Sequence, residues 1–155
     1  MGVNMRENSL SLGTNVKTEV GEVNAHGEEN VMNADSALIY IVDDESDLSE
    51  MLCDLLRLQG YPAKWFSSSV GALEEFIRSS PRPRLMVTDF GMKGLNGMEL
   101  IQRCRQLHPC LKTISCSGTG TEYFKDYEIQ PDRFVPKPFT AETLLSAVRE
   151  LLPTE

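Results

Sequence analysis

RLMVTDFGMKGLNGMEL, residues 84–100, is the stretch from which the rest of the chain can be read. Leu85, Met86, Val87 and Thr88 form a short apolar run that stops at Asp89. An apolar run of this length fits a strand buried in a covered sheet. Gly91, Gly94 and Gly97 then mark a loop rather than a continuing strand. From about Asn96 the apolar residues Leu100, Ile101, Cys104 and Leu107 return at helical spacing, and Pro109 ends the run. The unit is a strand, an acid at its C-terminal end, a glycine-rich loop and a helix.

The same order recurs along the chain. Ala37 to Val42 reads as a strand that ends at the paired acids Asp43 and Asp44. Ser46 or Asp47 can cap the helix that follows, whose Leu48, Met51, Leu52, Leu55 and Leu56 share a face, and Gly60 lies past its end. Pro62 to Phe66 is a weaker strand. The next helix, about Ser69 to Ser79, would bury Leu73, Phe76 and Ile77 before Pro81 and Pro83 forbid its continuation. Leu111 to Cys116 is a fourth strand, and Tyr123, Phe124 and Tyr127 suggest a helix within residues 121–130. Arg133 to Val135 makes a fifth strand, and a last helix runs from Thr140 to Leu152. Five β-then-α units in series predict a doubly wound α/β fold, (βα)5, with a parallel sheet covered on both faces.

Asp43, Asp44 and Asp89 all fall at strand C-terminal ends, and so does Lys137 in RFVPKPF, residues 133–139. In open α/β sheets that is the edge where ligands bind. Three acids in one crevice repel each other unless a proton or a cation compensates them. The pattern points to a divalent metal site around a nucleophilic Asp89.

The length of 155 residues suits one domain, with 41% apolar and 25% charged residues. A net charge of −8 argues against a nucleic-acid-binding surface. Residues 1–35 hold 2 basic and 6 acidic residues, six asparagines and no aromatic. Such a segment cannot bury enough surface to offset its ordering entropy, so 1–35 is expected to be a disordered arm and 36–153 the folded domain. Cys53, Cys104, Cys110 and Cys116 do not space like the disulfide framework of a small secreted domain. No apolar run approaches the length of a membrane span, and a reducing cytoplasm is the expected compartment. Cys104, His108, Cys110 and Cys116 could suggest a soft-metal site, but Cys104 lies on an apolar helix face and Cys116 inside a buried strand. His26 reads as a solvated side chain of the arm.

IVDDE (41–45), TDFGMKGLNG (88–97), SG (117–118) and KPF (137–139), in this order and spacing, resemble the response-regulator receiver domain of two-component signalling. The resemblance covers about residues 36–153, and from Asp89 onward it is most similar to receivers of hybrid histidine kinases. It implies a flavodoxin-like sheet of order 2-1-3-4-5. It also implies that Asp89 is the phosphoacceptor, taking a phosphoryl group from a phosphohistidine of a histidine kinase or histidine phosphotransfer protein. Asp44 would bind Mg²⁺ directly and Asp43 mostly through water, with the Gly91 carbonyl as a further ligand. Lys137 and Ser117 would contact the phosphoryl group, and Phe134 would be the aromatic switch residue. The Lys137–Pro138 peptide would be cis. A bacterial cytoplasmic protein is implied, acting through a downstream protein partner, with a homodimer compatible, and with neither nucleic acid nor membrane as partner.

Three positions depart from the family pattern. Met92-Lys93 stands where Met-Pro is usual, Gly91 offers no side chain to orient an attacking water, and Phe134 has no hydroxyl. Gly91 and Thr119 are the positions that would tune phosphate lifetime, and neither carries an amide or carboxylate. Ser115, on the same strand face, competes with Ser117 for the hydroxyl role. The competing functional reading is a pseudo-receiver, an interaction module that is not phosphorylated. Damage to the acid pair, Asp89 or Lys137 would favour it, and all four are present. An aspartate-nucleophile phosphohydrolase is disfavoured by the absence of that class's acid-x-acid motif. On residue type alone, the acids could also be a strand-end turn and a loop acid bonded to backbone.

Overall fold

The computed structural model describes residues 37–153. The expected arm, residues 1–35, lies outside the described residues. Five strands, β1 (Ile39–Val42), β2 (Ala63–Phe66), β3 (Leu85–Asp89), β4 (Lys112–Ser117) and β5 (Arg133–Pro136), alternate with helices α1 (Ser46–Leu58), α2 (Ser69–Arg78), α3 (Gly97–Leu107) and α4 (Ala141–Leu151). All strand pairings are parallel, in the order β2-β1-β3-β4-β5. The fold class is the one the βα pattern predicts, and the strand order is the one the family resemblance implies.

Side chains alternate across β1 because successive strand residues point to opposite faces. Ile39 and Ile41 pack with Leu52 and Leu56 of α1 and with Leu144 and Val148 of α4. Tyr40 and Val42 pack on the other face with Phe76 of α2 and with Leu100 and Cys104 of α3. The sheet is thus buried on both sides, which is why β1 reads as an unbroken apolar run. Gly60 at φ +87° closes α1, where Tyr61 N–H donates to the Leu56 carbonyl and Gly60 N–H to that of Arg57. This is a Schellman ending, and a left-handed residue there favours glycine.

Several local expectations are corrected. Neither Ser46 nor Asp47 caps α1: both lie inside the helix, and the N-cap is Glu45, whose N–H donates to Asp43 Oδ1 at 2.9 Å. Met51, Ile77 and Leu107 are exposed by 55%, 54% and 44%, so the apolar faces of their helices are narrower than their spacing suggests. Small residues sit at the contacts instead, such as Ala72 and Ser69 of α2.

The largest difference is in residues 121–130. Only Thr121–Phe124 is helical, as one 3₁₀ turn. The reason is in the hydrogen bonds a longer helix would need. Pro131 pushes Gln130 out of the α region and offers no N–H to the Tyr127 carbonyl. Gln130 Nε2 instead donates to the carbonyls of Phe124 and Tyr127 at 2.7 and 2.8 Å. A third apolar cluster, with Phe124, Met98 and Ile101 at its centre, holds this segment to α3.

Candidate functional site

The C-terminal ends of β1, β3 and β5 bring four charged side chains together. Val42 lies beside Thr88 in the β1–β3 ladder, so Asp43, Asp44 and Asp89 leave neighbouring strands at one level. Each of the three acids offers a carboxylate oxygen, and these oxygens lie within 4.8 Å of one another. Lys137 N–H donates to the Ser117 carbonyl at 2.8 Å, which continues the β4–β5 ladder past the last strand residue. The Lys137 Nζ then donates to Asp43 Oδ2 at 2.9 Å and stands 3.2 Å from Asp89 Oδ1. The Lys137–Pro138 peptide is cis.

Burial and charge oppose each other at Lys137. Desolvation disfavours the ammonium, but the hydrogen bond and field of Asp43, followed by those of Asp89, outweigh it and push Lys137 above the ordinary lysine range. The lysine therefore stays charged. One ammonium among three carboxylates leaves a formal deficit of two positive charges. The donor set is all oxygen, which suits a small hard divalent cation such as Mg²⁺.

The two adjacent acids differ in their surroundings. Asp43 is buried, and both its oxygens have protein partners, Glu45 N–H and Lys137 Nζ. Asp44 is exposed. Gly91 lies beside Asp89: a Cβ there would stand 4.0 Å from Asp89 Oδ2. Met92, whose usual proline neighbour is Lys93 here, is buried in the cluster between α2 and α3, which pins the loop without the proline.

Ser117 ends β4, and its Oγ lies 2.7 Å from Thr119 Oγ1 and accepts the Thr119 N–H at 3.0 Å. Ser115, its competitor, is wholly buried one pleat deeper, beside Thr88 and Phe134, and its Oγ has no partner. Phe134 packs on Phe124 with 4.4 Å between ring centroids. Cys104 and Cys116 are in separate apolar clusters and Cys110 is exposed, so these residues do not assemble a soft-metal site. His26 lies outside the described residues.

The profile of the response regulator receiver domain matches residues 39–149. This chain belongs to that family. The receiver is 32% identical over 120 residues to the nitrogen assimilation regulatory protein NtrX of Azorhizobium caulinodans, covering 75% of this chain and 26% of that protein. It is 32% identical to the response regulator MprA of Mycobacterium ulcerans, covering 76% of this chain and 50% of that one. The chain thus spans between a quarter and a half of the curated relatives it matches. Among solved structures, the response regulator TrrA of Thermotoga maritima in complex with Mg²⁺ and BeF is 27% identical, with a TM-score of 0.66 over 75% of this receiver and 99% of that chain. A CheY-like receiver from Methanospirillum hungatei has a TM-score of 0.68 at 21% identity, covers 74% of this chain and 92% of that one, and shares the fold. Receiver domains are signalling modules. Among the described residues no helix is long and apolar enough to cross a membrane.

Sequence reasoning missed three neighbours of the site. Glu45 holds Asp43 through its backbone, Thr88 Oγ1 donates to the Asp89 carbonyl at 2.9 Å, and Asn96 caps α3 just past the loop. The last was legible, since Asn-x-x-Glu at 96–99 is a capping-box spacing. The other two use backbone atoms, which residue type does not reveal.

Proposed function

We propose that this receiver accepts a phosphoryl group on Asp89 from a phosphohistidine, with Mg²⁺ at the acidic cluster, and so switches a protein-binding surface. The observation that carries the reading is the ammonium of Lys137 held between Asp43 and Asp89 beside an all-oxygen donor cluster. In phosphoryl transfer, positioning and neutralisation of the equatorial oxygens carry most of the catalysis. Lys137 supplies one fixed cation. Asp44 and the Gly91 carbonyl would hold Mg²⁺, with Asp43 behind a water, and the metal when bound supplies the second cation. Ser117, at the strand end, would supply the hydroxyl that meets a phosphoryl oxygen, and its Oγ now contacts Thr119. Phe134 would respond by packing alone.

The donor would be a histidine kinase or histidine phosphotransfer protein. Beside the acids, Glu45, Leu48, Lys137, Pro138 and Phe139 line a hollow of about 340 Å³, and Met51 of α1 stays exposed by 55%. An apolar rim next to a reactive carboxylate suits docking of a helical partner. The listener would be a further protein or domain.

The test is incubation with Mg²⁺ and acetyl phosphate, peptide mapping of the acid-stable, base-labile label, and measurement of its decay. The label should map to Asp89 and be absent in Asp89→Asn. Its decay should accelerate in Gly91→Asn and Thr119→Glu, which supply groups to orient water. Absence of any label under donor excess would leave the pseudo-receiver as the function.

A further inference from the structure

The segment between β4 and β5 is fastened to the loop after Asp89 at both ends of that loop. Phe90, next to Asp89, sets its ring edge-on to Phe124 with 4.6 Å between centroids, and to Tyr127 with 6.5 Å. Asn96, at the far end of the loop, donates Nδ2 to the Tyr127 hydroxyl at 2.9 Å. The Oδ1 of the same side chain accepts the N–H groups of Met98 and Glu99 at 2.9 and 3.0 Å. A single amide therefore holds the first turn of α3 and the Tyr127 ring together.

The backbone leaves little slack on either side. Phe90 N–H donates to the Cys116 carbonyl and Gly97 N–H to the Phe90 carbonyl, both at 3.0 Å. A displacement of the loop beside Asp89 would therefore bear on the two aromatic rings. Past the single 3₁₀ turn Thr121–Phe124, the receiving segment has no helical ladder to resist it. Its shape rests on side chains: Gln130 on the carbonyls of Phe124 and Tyr127, and Arg105 on the carbonyl of Gln130 and the carboxylate of Asp132. A segment with one 3₁₀ turn and few backbone bonds reorganises at lower free energy than a full helix.

We propose that Phe90, Asn96 and Tyr127 form a route from the acidic cluster to residues 121–132 that operates alongside the Ser117–Phe134 pair and independently of it. The direction of the signal rests on Asp89 as the phosphoacceptor; the coupling itself does not. Coupling between two sites is reciprocal, so a change at Tyr127 must be felt at the start of α3.

Two measurements test this. The first uses the resting protein and amide hydrogen exchange. Tyr127→Phe keeps the ring and removes the hydroxyl, and exchange at Met98 and Glu99 should rise roughly fivefold. Unchanged exchange there overturns the proposal, whatever the chemistry at Asp89. The second adds Mg²⁺ and beryllofluoride to the wild type, to Ser117→Ala and to the Phe90→Leu/Tyr127→Phe pair, and follows amide chemical shifts. The response at residues 125–130 should survive at half its size or more in Ser117→Ala. It should fall below half in the pair, while shifts at residues 43 and 44 persist. A response lost in Ser117→Ala and intact in the pair assigns the whole signal to the hydroxyl and rejects the second route. A wild type silent at residues 43, 44 and 89 rejects the phosphoacceptor reading and, with it, the direction of the signal, while the exchange data still decide the coupling.

Discussion

Asp43 and Asp44 are adjacent in sequence and opposite in circumstance. Asp43 is buried with both oxygens engaged, one by the Glu45 N–H and one by Lys137. Direct metal ligation would have to share an oxygen already bonded to the Glu45 N–H or to Lys137, whereas exposed Asp44 can turn to a cation at little cost. Asp44→Ala should therefore weaken Mg²⁺ binding by about tenfold or more, which is about 1.4 kcal/mol, and Asp43→Ala by less. Magnetic resonance titration at residues 43, 44, 89 and 91 reads both. Equal losses would mean that Asp43 trades its lysine for the metal. The identity of these residues was readable because acids at strand ends are conspicuous. Their different roles were not, because they depend on a lysine 94 residues away.

At the scale of the element, the end of β3 and the start of α3 are in contact with almost no space between them. A Cβ on Gly97 would lie far inside van der Waals contact distance of the Asp89 carbonyl oxygen and 3.1 Å from Phe90 Cα. Both obstacles are backbone, so the strand end or the helix must shift. Gly97→Ala should cost roughly 1–3 kcal/mol in urea unfolding and disturb Asp89 as well. Gly118→Ala is the control, since nothing lies within 4 Å of its Cβ position, and it should stay within about 0.5 kcal/mol. If the two variants lose equal stability, close packing is not the reason for glycine at 97. From sequence, Gly97 is one of three loop glycines, and only the assembled strand and helix single it out. Residues 121–130 teach a related lesson. Aromatic spacing suggests a helix there, yet Pro131 disfavours helical conformation at Gln130 and the Phe90–Phe124–Phe134 ring contacts give the rings another place to pack.

For the molecule as a whole, the two-sided core contributes to the alkaline limit of stability. Cys53, Cys104 and Cys116 are buried on the two faces of the sheet. Burial raises their thiols from the ordinary 9.0 to about 11, 12 and 12 respectively. The folded state therefore keeps protons that the unfolded chain has lost. This contribution is whole below pH 9, and it falls as pH rises through the folded values near 11 and 12, by about 1.4 kcal/mol per pH unit for each thiol. Urea midpoints should decline between pH 9 and 11, and the decline should be shallower in Cys104→Ala. Parallel slopes in the two proteins would mean that other groups control the alkaline limb. At neutral pH an alkylating reagent should label exposed Cys110 well ahead of the other three.

The amino-acid sequence by itself determined the element order, the parallel doubly wound architecture and the four charged residues of the cluster. It could do so because apolar runs, helical spacing, prolines and glycines act over a few residues, and because a chain of βα units has few ways to fold. Only the tertiary structure decided which oxygen of Asp43 meets Lys137, that Ser117 rests on Thr119, and that Phe90 and Asn96 reach across to residues 124 and 127. These contacts join atoms, several of them backbone, from strands and loops far apart in the chain. They come into being only when the sheet assembles, so no local pattern of residue types can encode them on its own.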